Sequence, residues 1–345
     1  KMNYTDFLKM IPEAVLVAIL IITFIADFAT AKQTEVRKWM NPLVSIMFCV
    51  LTVVCLLPLP AVHAFGDMYI TSSSVNVIKA ILALGSLIVV IQSRVWAEKS
   101  QKEGEFYMLL TSTLLGMFVM VSAGNFLMFF LGLEMASVPL ATMVAFDMKR
   151  NESAEGAAKF ILTATFSSGV MLYGMSLLYG AVGTLYFTEF SLLLSVTPMT
   201  ICGMVFFVAG LGFKISLVPF HFWTADTYQG APTTVTGYLS VISKGAAAFT
   251  LAVILTKVFQ PMTEYWEVMM YILIVLSITV ANLMAIRQSE LKRFMAFSSI
   301  SQAGYIMLAV IGADYAATIS SLMYYVLVYI VANMSVFAII SVVEQ

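Results

Sequence analysis

The sequence predicts an all-α polytopic membrane protein with about eleven transmembrane helices, and three observations support this prediction. The 345-residue chain is 61% hydrophobic and only 11% charged, whereas about a quarter of the residues in a soluble domain are charged. Apolar runs long enough to cross about 30 Å of hydrocarbon recur along the whole chain. One of these runs is interrupted at residues 216–219 (SLVP), which predicts a discontinuous seventh helix.

Counting the apolar runs gives the predicted spans. They lie near residues 11–28, 42–58, 75–92, 106–122, 125–146, 156–180, 198–216, 232–257, 265–286, 295–312 and 316–342. No small-residue cleavage site follows the first run, so we expect a retained span rather than a signal peptide. Residues 184–196 are too short and polar to span, but their apolar positions predict a helix along the interface: Phe187, Phe190, Leu193 and Leu194.

The basic residues of the short loops predict the orientation. With the N-terminus outside, eleven of the 18 Lys and Arg residues fall on inner loops: Lys32, Arg37, Lys38, Arg94, Lys99, Lys102, Lys149, Arg150, Arg287, Lys292 and Arg293. The basic residues expected on the outer side are Lys1, Lys9, Lys79 and Lys257. We therefore expect the N-terminus to face the periplasm or an equivalent outer space.

Cysteine and histidine usage argues against a redox or metal centre held by this chain. Cys49, Cys55 and Cys202 lie inside apolar runs, where we expect three buried thiols without the paired spacing of a metal or disulfide site. His63 and His221 are the two histidines. The net charge of −1 and the lack of basic patches argue against a nucleic-acid partner.

Two lysines flank the interrupted helix and are the foremost candidate site residues. Lys214 lies in the apolar run before the break, and Lys244 lies near the middle of the run that Pro232 opens. An ammonium at the centre of a membrane helix costs roughly 3 kcal/mol even on the lenient insertion scale. Unlike arginine, a lysine can lose and regain its proton in a dry site. We therefore predict an ion path here, with a purely structural role as the alternative.

Four further residues have two interpretations each. Glu134 lies among apolar neighbours and is either part of a proton relay or a neutral carboxyl in a helix–helix hydrogen bond. Lys159 lies three residues into the sixth span, where its stem can also reach the headgroups. His221 is either packed among aromatic residues or a proton carrier between the two lysines. Asp226 is a polar residue of the interruption and is also explained as a turn residue.

Four stretches resemble the antiporter-like membrane subunits of respiratory complex I. They read FKISLVPFHFWTADTYQGAPTTVTGYLSVISK, AAKFILTATFSSGVMLYGMSLLYGAVGTL, LGLEMASVPL and LKRFMAFSSISQAGYIML. The first resembles the broken-helix segment of these subunits, and the other three narrow the resemblance to the subunit N family. The similarity covers most of residues 106–312.

The resemblance implies two inverted five-helix repeats, each with one discontinuous helix. It divides the chain into three N-terminal transmembrane helices (1–105), a first repeat with the broken helix (106–260) and the start of a second repeat (261–345). The family's chain continues through a second broken helix, so we expect a truncated chain at Gln345. The residues matching the family's glutamate of the fifth helix and lysines of the sixth to eighth helices are Glu134, Lys159, Lys214 and Lys244.

The resemblance also implies proton translocation driven by quinone reduction in neighbouring subunits. No cofactor is expected in this chain, and NADH, FMN, iron–sulfur clusters and quinone are expected in partner subunits. The implied partners are the other membrane subunits of complex I and the lipid bilayer, and the implied location is the bacterial inner membrane. Alternative functions are a subunit of a multisubunit cation/proton antiporter or membrane-bound hydrogenase, or a scaffold subunit whose lysines pair with carboxylates of neighbours.

Overall fold

A computed structural model describes residues 4–30, 37–312 and 314–344, which form a helical bundle. The α-helices are α1 (Ile11–Thr30), α2 (Met40–Leu56), α3 (Ser73–Gln92), α4 (Arg94–Ser100), α5 (Glu103–Val121), α6 (Phe126–Val144), α7 (Asn151–Val182), α8 (Phe187–Leu193), α9 (Pro198–Ile215), α10 (Phe222–Gly230), α11 (Thr233–Tyr238), α12 (Lys244–Val253), α13 (Thr263–Ala285), α14 (Leu291–Met307) and α15 (Tyr315–Val343). Short 3-10 helices cover Tyr4–Lys9, Gln260–Met262 and Leu308–Val310, and π-helical segments cover Leu239–Ser243 and Ile254–Val258.

Nine helices within the described residues are long and apolar enough to cross a membrane. One of them is the continuous helix Thr233–Val258, in which α11, α12 and the two π-helical segments follow one another. Two further helices, α2 and α14, have 17 residues each and coincide with two more of the predicted spans. The all-α membrane fold predicted from the sequence is therefore confirmed.

A small β-hairpin was not predicted. Strands β1 (Val62–Ala64) and β2 (Tyr69–Thr71) pair antiparallel between α2 and α3. The turn between them passes through three residues with positive φ, at 65–67. Tyr69 of β2 is fully buried and also forms a β-bridge with Ala123, which follows α5. The hairpin thus closes one end of the bundle over α3 and α5.

The helix after α7 is present, but its apolar residues do not all face one side. α8 covers residues 187–193 of the stretch predicted to lie along the interface. Phe190 is fully buried against Phe126, with ring centroids 5.2 Å apart, whereas Leu193 is 60% exposed. A seven-residue helix makes only about two turns, so one such anchor fixes it to the bundle.

Helices α5 and α6 approach each other at glycine positions. A Cβ on Gly116 would lie 2.3 Å from the Ala136 backbone nitrogen, and a Cβ on Gly132 would lie 2.5 Å from the Met120 backbone nitrogen. Small residues allow such backbone-to-backbone packing of membrane helices. The four-residue connection 122–125 and these contacts make α5 and α6 one closely packed hairpin.

Candidate functional site

The predicted interruption between α9 and α10 is present, and protein groups satisfy its backbone. Ser216, directly after α9, adopts a left-handed conformation with φ +66°. The Leu217 amide donates to the Gly212 carbonyl at 2.9 Å, and the Val218 amide donates to the Ser277 hydroxyl at 2.9 Å. Irregular backbone is tolerated at membrane depth where the protein supplies such partners. The protein itself therefore supplies hydrogen-bond partners for the backbone of the break.

Lys214 lies in the last turn of α9 and is buried, with 4% of its surface exposed. Its Nζ donates a hydrogen bond to the Ser137 hydroxyl of α6 at 2.8 Å and lies 5.8 Å from the centre of the Phe160 ring. Within the described residues, its side chain makes no ion pair with a carboxylate. The Ser137 hydroxyl donates its own proton to the Leu133 carbonyl at 2.6 Å, so its oxygen is the acceptor for Lys214. Both an ammonium and a neutral amine carry N–H groups that can donate to this oxygen. Ser137 is thus a partner for either protonation state of Lys214.

Glu134 lies on α6 one turn before Ser137, so the two side chains share a face of this helix. Its Oε1 accepts a hydrogen bond from the Ser168 hydroxyl of α7 at 2.5 Å. The structure therefore places Glu134 one turn from Ser137, the hydrogen-bond partner of Lys214. It does not join Glu134 and Lys214 in an ion pair.

Lys244 is the first residue of α12 and is 1% exposed. Its Nζ donates to the Ser299 hydroxyl of α14 at 2.7 Å and lies 5.4 Å from the centre of the Tyr228 ring. The Ser299 hydroxyl in turn donates to the Ser240 carbonyl at 3.2 Å and lies 3.3 Å from the Tyr228 hydroxyl. In the described part of the chain, hydroxyls rather than carboxylates contact this amine.

His221 lies inside the break, directly before α10, and is 5% exposed. Its ring stacks on Phe222 with the ring centroids 4.6 Å apart. Its Nδ1 is buried and has no hydrogen-bond partner among the residues that the structure describes. The ring packs among aromatic side chains, and no direct hydrogen bond ties it to Lys214 or Lys244.

Lys159 lies near the start of α7, and its side chain is 42% exposed. Its Nζ lies 2.6 Å from Asp226 Oδ2 and 2.6 Å from Glu155 Oε1. Asp226 Oδ1 also accepts a hydrogen bond from Arg293 Nη1 at 2.7 Å. Asp226 thus joins α7, α10 and α14, and the interpretation of this residue as a turn residue is wrong because it lies inside α10.

Sequence reasoning did not single out the hydroxyl partners of the site. Ser137 follows Glu134 by three residues, a spacing that signals a shared helix face. No local signal marks Ser299, which lies 55 residues from Lys244 in the chain. Serines are common in every part of this sequence, so only the packing of α6, α9, α12 and α14 reveals these contacts.

Lys79, which the charge count placed among the outer-side basic residues, lies inside the predicted span 75–92. It lies within α3 with none of its surface exposed, and its Nζ lies 2.6 Å from Glu13 Oε1 of α1. The charge count gave no sign of this pair, in which a buried carboxylate on another helix compensates the ammonium. The prediction for Lys1 lies outside the described residues.

The three cysteines are free, but only Cys55 is buried, whereas Cys49 and Cys202 are exposed on helix surfaces. The expectation of three buried thiols is therefore wrong for two of them, because an apolar run also has a face that points away from the bundle. Within residues 4–30, 37–312 and 314–344, no group of three or more His, Cys, Asp or Glu residues could hold a metal ion.

A helix broken between two buried lysines, within a bundle of membrane-length helices, defines the class of antiporter-like membrane subunits. The family described as "NADH:quinone oxidoreductase/Mrp antiporter, TM" matches residues 123–345. The chain belongs to this family, and within it to the NADH-quinone oxidoreductase subunit N group. It is 54% identical to NADH-quinone oxidoreductase subunit N of Phocaeicola vulgatus over all of this chain and 73% of that protein.

Solved structures agree with this assignment. A chain of respiratory complex I from Thermus thermophilus is 29% identical, with a TM-score of 0.80 over 96% of this chain and 70% of that chain. A chain of the Mrp complex from Dietzia sp. DQ12-45-1b is 17% identical, with a TM-score of 0.82 over 97% of this chain and 65% of that chain. The second likeness concerns the fold alone.

Proposed function

We propose that this chain is a proton-translocating membrane subunit of an NADH:quinone oxidoreductase in a bacterial inner membrane. Its partners in this proposal are the other membrane subunits of the complex and the surrounding lipid. Quinone reduction in partner subunits drives the proton movement, and NADH, FMN, iron–sulfur clusters and quinone bind in those partners. The family membership and the 54% identity to a subunit N support this assignment.

The observation that carries the proposal is the setting of the two buried lysines. Lys214 and Lys244 lie on either side of the broken helix, and each donates to a serine hydroxyl. Because a neutral amine still has N–H groups that can donate to those hydroxyl oxygens, each site accommodates the loss and return of a proton. Intramembrane lysines usually mark an ion or proton route.

In the proposed relay, Glu134 controls the proton on Lys214, whose partner Ser137 lies on the same face of α6 as Glu134. Moving one elementary charge through 150 mV takes about 3.5 kcal/mol. A carboxylate that approaches and leaves a buried ammonium changes its stability by an amount of this order. Lys159 connects the relay to the carboxylates at the bundle edge, and His221 lies within the break between Lys214 and Lys244.

The division of the chain is part of the same proposal. Residues 1–105 supply three N-terminal transmembrane helices, residues 106–260 form the first antiporter-like repeat, and residues 261–345 begin the second. The N-terminus faces the periplasm. Cysteines introduced near Lys38, Lys102 and Arg150 should therefore react with impermeant reagents only from the cytoplasmic side, and labelling from outside intact cells would reverse the orientation.

Replacing Lys214 with methionine tests the function, because methionine keeps most of the volume and removes the titratable group. We expect the assembled complex to lose proton pumping and, through tight coupling, to slow its NADH:quinone turnover. Lys214→Arg should fail likewise, since arginine keeps its charge. The measurement is proton pumping per NADH oxidised in reconstituted vesicles, normalised to assembled complex.

Lys257→Met is the matched control for this experiment. Lys257 is exposed at the end of the helix Thr233–Val258, where its Nζ lies 3.8 Å from the centre of the Tyr315 ring. This variant should pump normally. Wild-type pumping by Lys214→Met would show that the ion path does not run through Lys214.

A subunit of a multisubunit cation/proton antiporter is the alternative function, and the fold likeness to a chain of the Mrp complex supports it. The fold does not separate the two functions, because the TM-scores of 0.80 and 0.82 are equivalent. The identity to subunit N favours the oxidoreductase. Purification in mild detergent distinguishes them, because the oxidoreductase should carry a peripheral arm with flavin and iron–sulfur signals.

A further inference from the structure

A second buried ionisable cluster lies in the N-terminal helices, apart from the broken helix. Glu13 of α1, Tyr69 of β2 and Lys79 of α3 have 3%, 0% and 0% of their surfaces exposed. Lys79 Nζ lies 2.6 Å from Glu13 Oε1, and the Tyr69 hydroxyl donates to Glu13 Oε2 at 2.7 Å. Lys79 Nζ also lies 3.1 Å from the Tyr69 hydroxyl oxygen. The three side chains form a closed hydrogen-bonded triangle.

Stability alone does not explain this cluster. Replacing a buried ion pair by apolar side chains of similar volume is often neutral or stabilising. Ionisable residues on membrane-length helices are costly and usually functional. Glu13 and Lys79 lie on two such helices, α1 and α3. A role that requires charge or a mobile proton accounts for both residues.

A cavity at the end of the bundle where α1 and α3 begin reaches Tyr69 of the cluster. Its volume is about 210 Å³, and its lining includes Lys9, Tyr69, Thr71 and Asn76. A water molecule occupies about 30 Å³ in the liquid, so the cavity has room for several. Asn76 is 4% exposed, and its Oδ1 is buried without a hydrogen-bond partner among the described residues. Tyr69 therefore borders both the cavity and the ion pair.

The cluster also lies on a buried polar face of α3. Asn76, Lys79, Ser86 and Ser93 are spaced by three, seven and seven residues, which places them on one side of a helix. Each is at most 4% exposed. At the far end of this face, the Ser93 hydroxyl lies 3.4 Å from the buried Tyr107 hydroxyl. α3 thus carries polar side chains along its full length, between the cavity and the opposite end of the helix.

We propose that Glu13, Tyr69 and Lys79 form a further proton-exchange site, which connects the interior to the cavity at the N-terminal face. This proposal rests on the proposed function. A proton moves from Lys79 Nζ to Glu13 Oε1, which converts the two ions into a neutral amine and a carboxylic acid. Tyr69 is closed off from water in this structure, and when it opens toward the cavity its hydroxyl gives its proton to water there and receives the carboxyl proton of Glu13, which restores the carboxylate. Lys79 then regains a proton from the interior.

The test removes all titratable groups of the cluster while keeping its volume. The variant Glu13→Leu/Tyr69→Phe/Lys79→Met leaves no unpaired buried charge, so we expect it to assemble. The matched control is Thr23→Val, because Thr23 is a buried residue of α1 whose hydroxyl bonds only to the Ile19 carbonyl. Proton pumping per NADH and the amount of assembled complex are measured in reconstituted vesicles. The triple variant should lose about half of its pumping per NADH or more, and the control should keep it.

Wild-type pumping by an assembled triple variant would overturn the proposal. If the triple variant does not assemble, Glu13→Gln decides, because glutamine keeps an acceptor for Lys79 but cannot take up a proton. Normal pumping by Glu13→Gln, or failure of both variants to assemble, would contradict the proposal and show that the cluster only holds the helices together. Lys214→Met in the same assay keeps the two proposals separate. Normal pumping by Lys214→Met contradicts the proposed function. If Lys214→Met loses pumping but the triple variant pumps normally, only the present inference is contradicted.

Discussion

Lys159 and Lys244 have opposite surroundings within the same bundle. Lys159 lies at the bundle edge, partly exposed, with carboxylates of Asp226 and Glu155 both at 2.6 Å. Lys244 is buried and donates to the hydroxyl of Ser299. Two carboxylates hold an ammonium in its charged state, whereas a hydroxyl serves an ammonium or an amine. The contacts of a lysine, rather than its presence in an apolar run, indicate whether its charge can change.

Lys214 belongs with Lys244 in this comparison. Its hydroxyl partner is Ser137, and the nearby carboxylate of Glu134 bonds to Ser168 instead. The interior lysines are therefore suited to proton exchange. Lys159, through the Asp226 carboxylate that it shares with Arg293, is suited to holding α7 against α10 and α14, in addition to its proposed place in the relay. Variants of the interior lysine sites should lose pumping, whereas variants of the Lys159 contacts should lose assembled complex.

The largest effect is expected for Lys244→Met. Removing the amine eliminates the proton site at the start of α12, so pumping per NADH in reconstituted vesicles should fall about tenfold or more. The assembled amount should change little, because methionine fills a buried site without leaving a charge. Pumping at the wild-type level would show that Lys244 has only a structural role, and would contradict the contrast drawn between Lys244 and Lys159.

An intermediate effect is expected for Ser137→Ala. This variant keeps Lys214 but removes the hydroxyl that contacts it at 2.8 Å. A hydrogen bond to a charged group contributes about 1.5–3 kcal/mol, and the lower end of this range corresponds to a fall in turnover of roughly tenfold. Ser137→Thr keeps the hydroxyl and serves as the control. Equal turnover of the alanine and threonine variants would show that the hydroxyl does not matter.

A smaller effect on pumping is expected for Asp226→Asn. This change removes the carboxylate shared by Lys159 and Arg293, while Lys159 keeps its contact with Glu155. The amount of assembled complex should fall several-fold, since a modest loss of stability lowers abundance to this extent. Pumping per assembled complex should stay within about twofold of wild type. Glu155→Gln, which removes only the more exposed partner, should affect assembly less. A loss of pumping by Asp226→Asn without a loss of assembly would show that these contacts serve proton transfer rather than assembly.

Helices were predictable from this sequence, and their polar contacts were not. Apolar runs of membrane length and the interruption at 216–219 are local signals, and both are borne out by α9, α10 and the helix Thr233–Val258. The contacts of Lys159 with Asp226 and of Lys79 with Glu13 join residues 67 and 66 positions apart. Such pairs depend on which helices pack together, which no local pattern of this sequence encodes.

The hairpin β1–β2 and the burial of Lys79 were missed for a related reason. Residues 62–71 carry no long alternating pattern, because each strand has only three residues. Charge counting listed Lys79 among the outer-side basic residues and gave no sign that α1 provides the buried Glu13 carboxylate, which makes an intramembrane ammonium acceptable. Both features concern the N-terminal helices, where the resemblance to the family was least informative.

Glycine contacts hold both helices that carry the Lys214 site. With backbone against backbone at Gly116 and Gly132, α6 cannot slide or rotate past α5 without a clash. Glu134 and Ser137 therefore lie on a helix that is fixed against α5. α9 is fixed against α7 in the same way, since a Cβ on Gly174 would lie 2.7 Å from the Phe207 backbone nitrogen. Lys214 lies one residue from the end of α9, directly before the irregular backbone at 216–221. A change in the contact between Lys214 and Ser137 therefore requires a movement of the lysine side chain or of the break, rather than sliding of the helices.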